Sequence, residues 1–187
     1  IEYTRLVSMS GRYQPFWDLT RAALRYAAAR HALSLDAGVE ARLLDEYRRL
    51  RAFDENGAVL QALRARGIRA GILSNGDPPM LAAAVRSAGF EGLLDPVLSA
   101  DAVGCYKTDA AVYRLGPEAL DLPAERILFV SSNGWDAIGA TWFGYTTLWV
   151  NRAGAPPEQL GTEPTRSGTS LRDVLDFFPS FSEREPT

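Results

Sequence analysis

Three short polar segments, each following an apolar run, hold the side chains best suited to chemistry. They are Ser74-Asn75-Gly76, then Ser99 with Asp101, and then Ser131-Ser132-Asn133 with Asp136. Hydroxyl and amide groups bind anions, and a carboxylate among them can position a cation or a water molecule. Helix capping alone explains a serine or asparagine at any one of these places, but three such segments together indicate a site.

Lys107 follows the second of these segments, in a chain whose other cationic side chains are arginines. An isolated lysine is most often a solvated surface amine. Next to a carboxylate such as Asp136, the ammonium group would instead be a compact charge that neutralises an anionic substrate or a developing negative charge. On its own, Lys107 would be interpreted as a surface amine.

The elements that must position these side chains alternate between strand and helix from Asn56 onwards. The short apolar runs "IRAGIL", "PVLSAD", "RILFV" and "YTTLWVN" predict strands, and the segments between them have apolar residues at helical spacing. This alternation predicts an α/β fold with a Rossmann-like parallel sheet covered by helices on both faces. Ligands bind beyond the carboxyl ends of such strands, which is where the polar segments lie.

The first 53 residues have no strand-like alternation, and their apolar residues recur every three or four positions, as in Phe16, Leu19 and Ala23. We therefore predict two parts. Residues 1–53 form a small helical subdomain, and residues 54–187 form the α/β core, which ends in a loop, a short helix and a polar tail.

The composition excludes several classes of protein. With 187 residues, 47% hydrophobic and 23% charged, the chain is typical of a globular protein with one compact core. A net charge of -3 and scattered arginines argue against nucleic acid as a partner, and no apolar run approaches the ~18 residues of a membrane span. One cysteine and one histidine allow neither an internal disulfide nor a Cys/His zinc site, which fits a cytoplasmic protein.

The motifs "ILSNG", "YKTDAAVY" and "FVSSNGWDAIGA", in this order and at these separations, resemble the haloacid dehalogenase superfamily, and within it the L-2-haloacid dehalogenases. The segment "EYTRLVSMSGRYQPFW" is similar to the start of that family's cap domain. The resemblance implies that an aspartate displaces halide from C2 of a 2-haloalkanoate with inversion, and that water hydrolyses the aspartyl ester. It also implies a homodimer that needs neither an organic cofactor nor a metal.

Matching positions imply roles for nine residues. Ser74 and the Asn75 amide would hold the substrate carboxylate, with the Asn75 side chain near the halogen. Lys107 would neutralise the carboxylates, and Asp136 would position Lys107 or the hydrolytic water. The others would complete the polar network (Ser131, Asn133), support it (Tyr113), or wall the alkyl side of the substrate (Phe16, Trp135). Phe16, Trp135 and Tyr113 fit equally well as packing residues.

The segment after the "RILFV" strand bears on the leaving group. Phosphatases of the superfamily generally carry an acidic residue here, which helps to bind Mg²⁺, whereas this chain has Ser and Asn. A departing halide needs only hydrogen-bond donors and an apolar pocket, so this segment favours carbon–halogen cleavage without a metal. A Mg²⁺-dependent phosphatase and a carboxylate-binding module without activity are the alternatives.

The family's first motif, an apolar strand ending in Asp-x-x-Gly-Thr, does not occur in these residues, and Asp18 lies in a helical context. In this fold the first strand is central, and a sheet without it would have unpaired backbone groups and exposed apolar faces. We therefore expect a segment upstream of Ile1 to supply the strand and the nucleophilic aspartate.

Overall fold

A computed structural model describes residues 1–179, and its strands form two parallel sheets. β1 (Ile72–Ser74) pairs with β2 (Val97–Ser99) in the first sheet. β3 (Leu128–Ser131), β4 (Thr146–Val150) and β5 (Arg166–Gly168) form the second sheet in the order β3-β4-β5. The α/β class and the parallel pairing that the alternation predicts are confirmed.

One helix precedes β1, and three more connect the strands from β1 to β4. They are α4 (Asn56–Ala65), α5 (Pro78–Ser87), α6 (Ala110–Leu120) and α7 (Gly134–Phe143). The middle of α7 is buried from Asp136 to Ala140, because α7 packs on both β3 and β4 and also contacts α6. Asp136 therefore lies in the first turn of a helix whose next residues are almost all apolar, which places its carboxylate at the border of the core.

The first 48 residues contain helices and no strand; we call residues 1–48 the N-terminal helical segment. Its helices are α1 (Glu2–Met9), α2 (Phe16–Arg30) and α3 (Ala37–Asp45), followed by a 3-10 turn over Glu46–Arg48. The Arg25 guanidinium donates to both carboxylate oxygens of Glu40, at 2.8 Å each, and so joins α2 to α3. The division of the chain at residue 53 stays a prediction.

Several hydrogen bonds hold the N-terminal helical segment against the loops that follow β1 and β2. Buried Tyr106 donates from its hydroxyl to the Gln14 carbonyl at 2.6 Å and from its backbone N–H to Ser8 Oγ at 2.8 Å. The backbone N–H of Trp17 donates to the Asp77 carboxylate at 3.2 Å. These bonds fix the segment over the carboxyl ends of the first sheet.

The structure differs from the predictions in three places. The run "IRAGIL" is a strand only from Ile72, although Ala70 still accepts a hydrogen bond from Asp95 N. β5 was not predicted, because "RSG" has no apolar pattern and is extended through its pairing with β4. The predicted C-terminal helix is a 3-10 helix over Leu171–Phe177. The end of the predicted polar tail lies outside the described residues.

The two sheets lie side by side without pairing to each other. Within residues 1–179, β1 pairs only with β2, and β3 pairs only with β4. Leu73 of β1 packs against the cluster around Ala100 and also against the cluster around Phe129 of β3. The additional strand expected upstream of Ile1 stays a prediction.

In the described part of the chain, no helix is long and apolar enough to cross a bilayer.

Candidate active site

The three serines that end β1, β2 and β3 all form the same local turn. In each, the hydroxyl oxygen accepts from a backbone N–H two residues on: Ser74 from Gly76 at 3.1 Å, Ser99 from Asp101 at 3.1 Å, and Ser131 from Asn133 at 3.2 Å. Such turns explain why short hydroxyl side chains stand at these junctions. Of the three, Ser99 is an N-cap, that of the 3-10 helix over Ala100–Val103, whereas Ser74 and Ser131 form turns that precede the N-cap residues of α5 and α7. Any further role must come from what each hydroxyl donates to.

Asp136 is the centre of the buried polar network. One carboxylate oxygen accepts from Lys107 Nζ at 3.0 Å and from Ser131 Oγ at 2.9 Å, and the other accepts from Tyr113 Oη at 2.9 Å. The Lys107 and Asp136 side chains are each only 7% exposed. Asp136 lies in the first turn of α7, where the helix dipole favours a negative charge. The network thus combines groups from α6, α7, the end of β3 and the loop after β2.

Lys107 also connects this network to the other sheet. It is the only lysine in the sequence, and its backbone N–H donates to Asn75 Oδ1 at 3.0 Å. Its ammonium lies 4.7 Å from the centroid of the Phe129 ring. Burial lowers the pKa of Lys107, and the neighbouring Asp136 opposes that shift. The ammonium has one hydrogen-bond partner among residues 1–179, so two of its three N–H donors can serve an anion.

Ser74 and Asn75 bring two further donors to the end of β1. Because Asn75 Oδ1 accepts from Lys107, the amide NH2 is the part of that side chain left to donate. Ser74 Oγ accepts from the backbone N–H of Gly76, so the Ser74 hydroxyl can donate its proton to an external acceptor. Both residues are half-buried. A hydroxyl and an amide donor thus lie on consecutive residues at the end of β1, and the amide side chain is bonded to the backbone of the residue that carries the ammonium. Donors of these kinds bind carboxylates and halides.

Tyr113 reaches Asp136 because the two helices that carry them approach closely. Its ring is buried and has Phe129 and Tyr145 as aromatic neighbours. A methyl group at Gly139 on α7 would come within 2.5 Å of the Tyr113 hydroxyl, so only glycine leaves room for it. Burial, followed by the charge of Asp136, raises the pKa of Tyr113 well above its usual range. The neutral phenol therefore acts as a hydrogen-bond donor to the carboxylate.

Besides Ser74 and Asn75, three more of the nine predicted site residues lie outside the buried network. The Asn133 side chain is exposed, and its backbone N–H alone joins the network through Ser131. Half-buried Phe16 packs on Tyr106 with ring centroids 6.0 Å apart and lines a cavity of about 390 Å³ in the N-terminal helical segment. Half-buried Trp135 lies beneath the guanidinium of Arg5. The wall role of Phe16 and Trp135 stays a prediction.

Sequence reasoning missed two residues that shape this site. Phe129 lies under the Lys107 ammonium, and a continuous apolar strand gives no sign of which member will face a charge. Tyr106 directly precedes Lys107, and its hydroxyl binds the N-terminal helical segment at Gln14. Its position next to the lysine was the available signal in the sequence. In residues 1–179, no group of three or more His, Cys, Asp or Glu side chains is arranged to hold a metal ion.

Comparison with known families bears on this geometry. A model of hydrolases described as haloacid dehalogenase-like matches residues 1–144. The chain belongs to this family. Among haloacid dehalogenase-like hydrolases, an (S)-2-haloacid dehalogenase of Pseudomonas sp. strain YL is 44% identical over 178 residues, which cover 95% of this chain and 77% of that relative. The resemblance stated from the motifs is therefore confirmed.

Solved structures of haloacid dehalogenase-like hydrolases have the same fold. The crystal structure of an L-2-haloacid dehalogenase is 56% identical, with a TM-score of 0.92, over 94% of this chain and 79% of the other. A second, from Xanthobacter autotrophicus with chloropropionic acid covalently bound, is 32% identical, with a TM-score of 0.86, over 94% and 80% of the two chains. The buried network described above thus belongs to a fold in which a covalent haloacid adduct has been captured.

Proposed function

We propose that this protein hydrolyses short 2-haloalkanoic acids to 2-hydroxy acids, through an aspartyl-ester intermediate and without a metal or organic cofactor. One observation carries the proposal: Asp136 is buried and satisfied by the Lys107 ammonium and the hydroxyls of Ser131 and Tyr113. A carboxylate with these partners holds a cation in place for an organic anion. The relatives named as (S)-2-haloacid dehalogenases support the same substrate class.

The first step is a substitution at carbon. A carboxylate oxygen attacks C2, a C–O bond forms as the carbon–halogen bond breaks, and the halide leaves with the bonding electron pair. Asp136 is a poor candidate for the nucleophile, because three donors already stabilise its charge. We assign the attack to the aspartate expected upstream of Ile1. The unpaired edges of β1 and β3 within residues 1–179 support a strand between them.

The second step is hydrolysis of the ester. Water adds to the ester carbonyl carbon, the bond from that carbon to the substrate oxygen breaks, and the 2-hydroxy acid leaves. The attacking carboxylate is regenerated and one proton passes to solvent. In both steps Ser74 and Asn75 donate to the substrate carboxylate, while the Lys107 ammonium offsets the negative charge of the two carboxylates that approach each other.

The remaining parts of the proposal concern organisation. Residues 1–53 act as a cap over the carboxyl ends of the strands, which the bonds from Tyr106 to the N-terminal helical segment support. The protein is cytoplasmic and forms a homodimer, with no nucleic acid or membrane as a partner. The dimer is supported by large apolar side chains that are at least half exposed on the N-terminal helical segment: Leu6, Met9, Tyr26 and Leu33.

The proposal predicts chloride release from (S)-2-chloropropionate that EDTA does not change. Ion chromatography of a reaction mixture containing the full-length protein should detect chloride and lactate in equal amounts. The (R) enantiomer should release little chloride. Strict dependence on Mg²⁺, or turnover of p-nitrophenyl phosphate in its place, would establish the phosphatase alternative. Calorimetric binding of the haloacid without any halide release would establish a binding module.

Replacing Tyr113 by phenylalanine is expected to lower both kcat and the free energy of unfolding. The variant loses a hydrogen bond to a charged acceptor, which contributes ~1.5–3 kcal/mol to stability, and leaves Asp136 less well oriented. Tyr145→Phe is the matched control, because the Tyr145 hydroxyl donates to the Tyr113 carbonyl in the same aromatic cluster. Urea unfolding and halide release measure the two effects. Equal losses of kcat in both variants would contradict a specific role for Tyr113.

A further inference from the structure

Arg5 is a charged residue at the edge of the candidate site to which neither the motifs nor the proposed reaction assigns a role. It lies on α1, its side chain is exposed, and its guanidinium carbon is 5.7 Å from the centroid of the Trp135 ring. Trp135 directly precedes Asp136 at the start of α7. The cation–π contact therefore holds a guanidinium from the N-terminal helical segment over the residue next to the buried network.

The charge of Arg5 is not neutralised by an ion pair. Five other arginines have a carboxylate within 4 Å: Arg25, Arg48, Arg49, Arg152 and Arg166. Within residues 1–179, no carboxylate comes this close to Arg5, and its aromatic neighbour carries no net charge. Glu158 brings a carboxylate to the same end of α7, beside Gly134, without pairing with Arg5. Arg5 thus presents a full positive charge to solvent at this edge.

An exposed cation at this position would attract the anionic substrate, which the net negative charge of the chain repels. The proposed substrate is an anion, and the chain has a net charge of -3. Within residues 1–179, the cation inside the site is Lys107, which already faces Asp136 at 3.0 Å, so the charge of that pair is largely cancelled at a distance. From the groups of the buried network alone, an arriving carboxylate would therefore meet little attraction before it reaches the donors of Ser74 and Asn75.

We propose that Arg5 is a substrate-steering residue, whose guanidinium, held on the indole of Trp135, draws small monocarboxylates to the mouth of the site. This inference rests on the proposed function and deepens it. Arg5 raises the local concentration of the anionic substrate and makes no contribution to bond breaking. It therefore sets KM for anionic substrates and leaves kcat unchanged.

Steady-state kinetics with (S)-2-chloropropionate at two ionic strengths tests the proposal. Sodium sulfate adjusts the ionic strength, since chloride is a product. We expect Arg5→Gln to raise KM by about threefold to tenfold at low ionic strength, with kcat within about twofold of the original protein. The difference should largely vanish near 1 M ionic strength, where the Debye length is ~3 Å. Arg5→Lys should keep a KM close to that of the original protein.

Arg30→Gln is the matched control, because it removes an exposed arginine at the far end of α2, roughly 20 Å along the helix axis from Phe16. An unchanged KM in Arg5→Gln, or an equal rise in Arg30→Gln, would overturn the proposal. Equal losses in Arg5→Gln and Arg5→Lys that salt does not reduce would also overturn it, because they would mark a packing contact between α1 and α7.

A binding measurement separates this inference from the proposed reaction. Calorimetric titration with lactate needs no turnover, so it applies even if the protein releases no halide. Weaker and less salt-dependent binding in Arg5→Gln would support steering, and equal affinity in the two proteins would overturn it. Failure of the proposed function would instead appear as absence of halide release from the original protein.

Discussion

Replacing Lys107 by methionine is expected to lower kcat for halide release by about 100-fold to 1000-fold, the effect of removing one preorganised electrostatic group from a buried site. Methionine keeps an unbranched side chain against Phe129 but removes the only ammonium in the network. Two negative carboxylates would then approach each other without compensation during attack on C2. Halide release at saturating substrate measures the loss, and full turnover in this variant would contradict charge neutralisation by Lys107.

Stability must be separated from chemistry in this experiment. Lys107→Met leaves the Asp136 carboxylate buried without its cation, and such a change costs about 3–5 kcal/mol of unfolding free energy. The double variant Lys107→Met with Asp136→Asn removes the uncompensated charge. We expect it to recover much of the unfolding free energy in urea titrations and to remain inactive. Recovery of both stability and turnover would mean that the pair serves folding alone.

Asp136→Asn is expected to move the alkaline limb of the kcat profile to lower pH. Lys107 neutralises charge only when protonated, so activity is lost as the pH rises through its pKa. Burial lowers that pKa and Asp136 raises it, so removing the carboxylate leaves the burial effect unopposed. The limb therefore shifts towards neutral pH. Halide release at saturating substrate, measured across the neutral and alkaline range, gives both profiles.

Two features make this pH experiment specific. Burial raises the pKa of Tyr106 to about 12 and that of Tyr113 well above its usual range, so neither phenol titrates in the moderately alkaline region. Tyr113→Phe serves as the control, because the Asp136 carboxylate and its attraction for Lys107 remain in that variant. An alkaline limb that stays in place in Asp136→Asn would show that a group other than Lys107 limits activity there.

The sequence was informative wherever local pattern and chemistry agreed. The apolar run at Ile127 to Val130 predicted a strand, and polar residues after the strands predicted that Lys107 and Asp136 would meet. β5 could not be predicted, since Arg166 to Gly168 is a strand only through its partner β4. The contact of Arg5 with Trp135 depends on how α1 is docked on α7, which no local pattern encodes.

Gly139 shows how far the demands of this site extend along α7. It meets no ligand in the proposed reaction, yet a single added carbon there would collide with the Tyr113 hydroxyl and with the Thr108 side chain, next to Lys107. Random mutagenesis of α7 should therefore find this position as intolerant as the positions that carry the polar groups. Substitution at Gly139 is restricted by the Tyr113 hydroxyl, which extends from the neighbouring helix α6. A list of the reacting groups alone would not include this position.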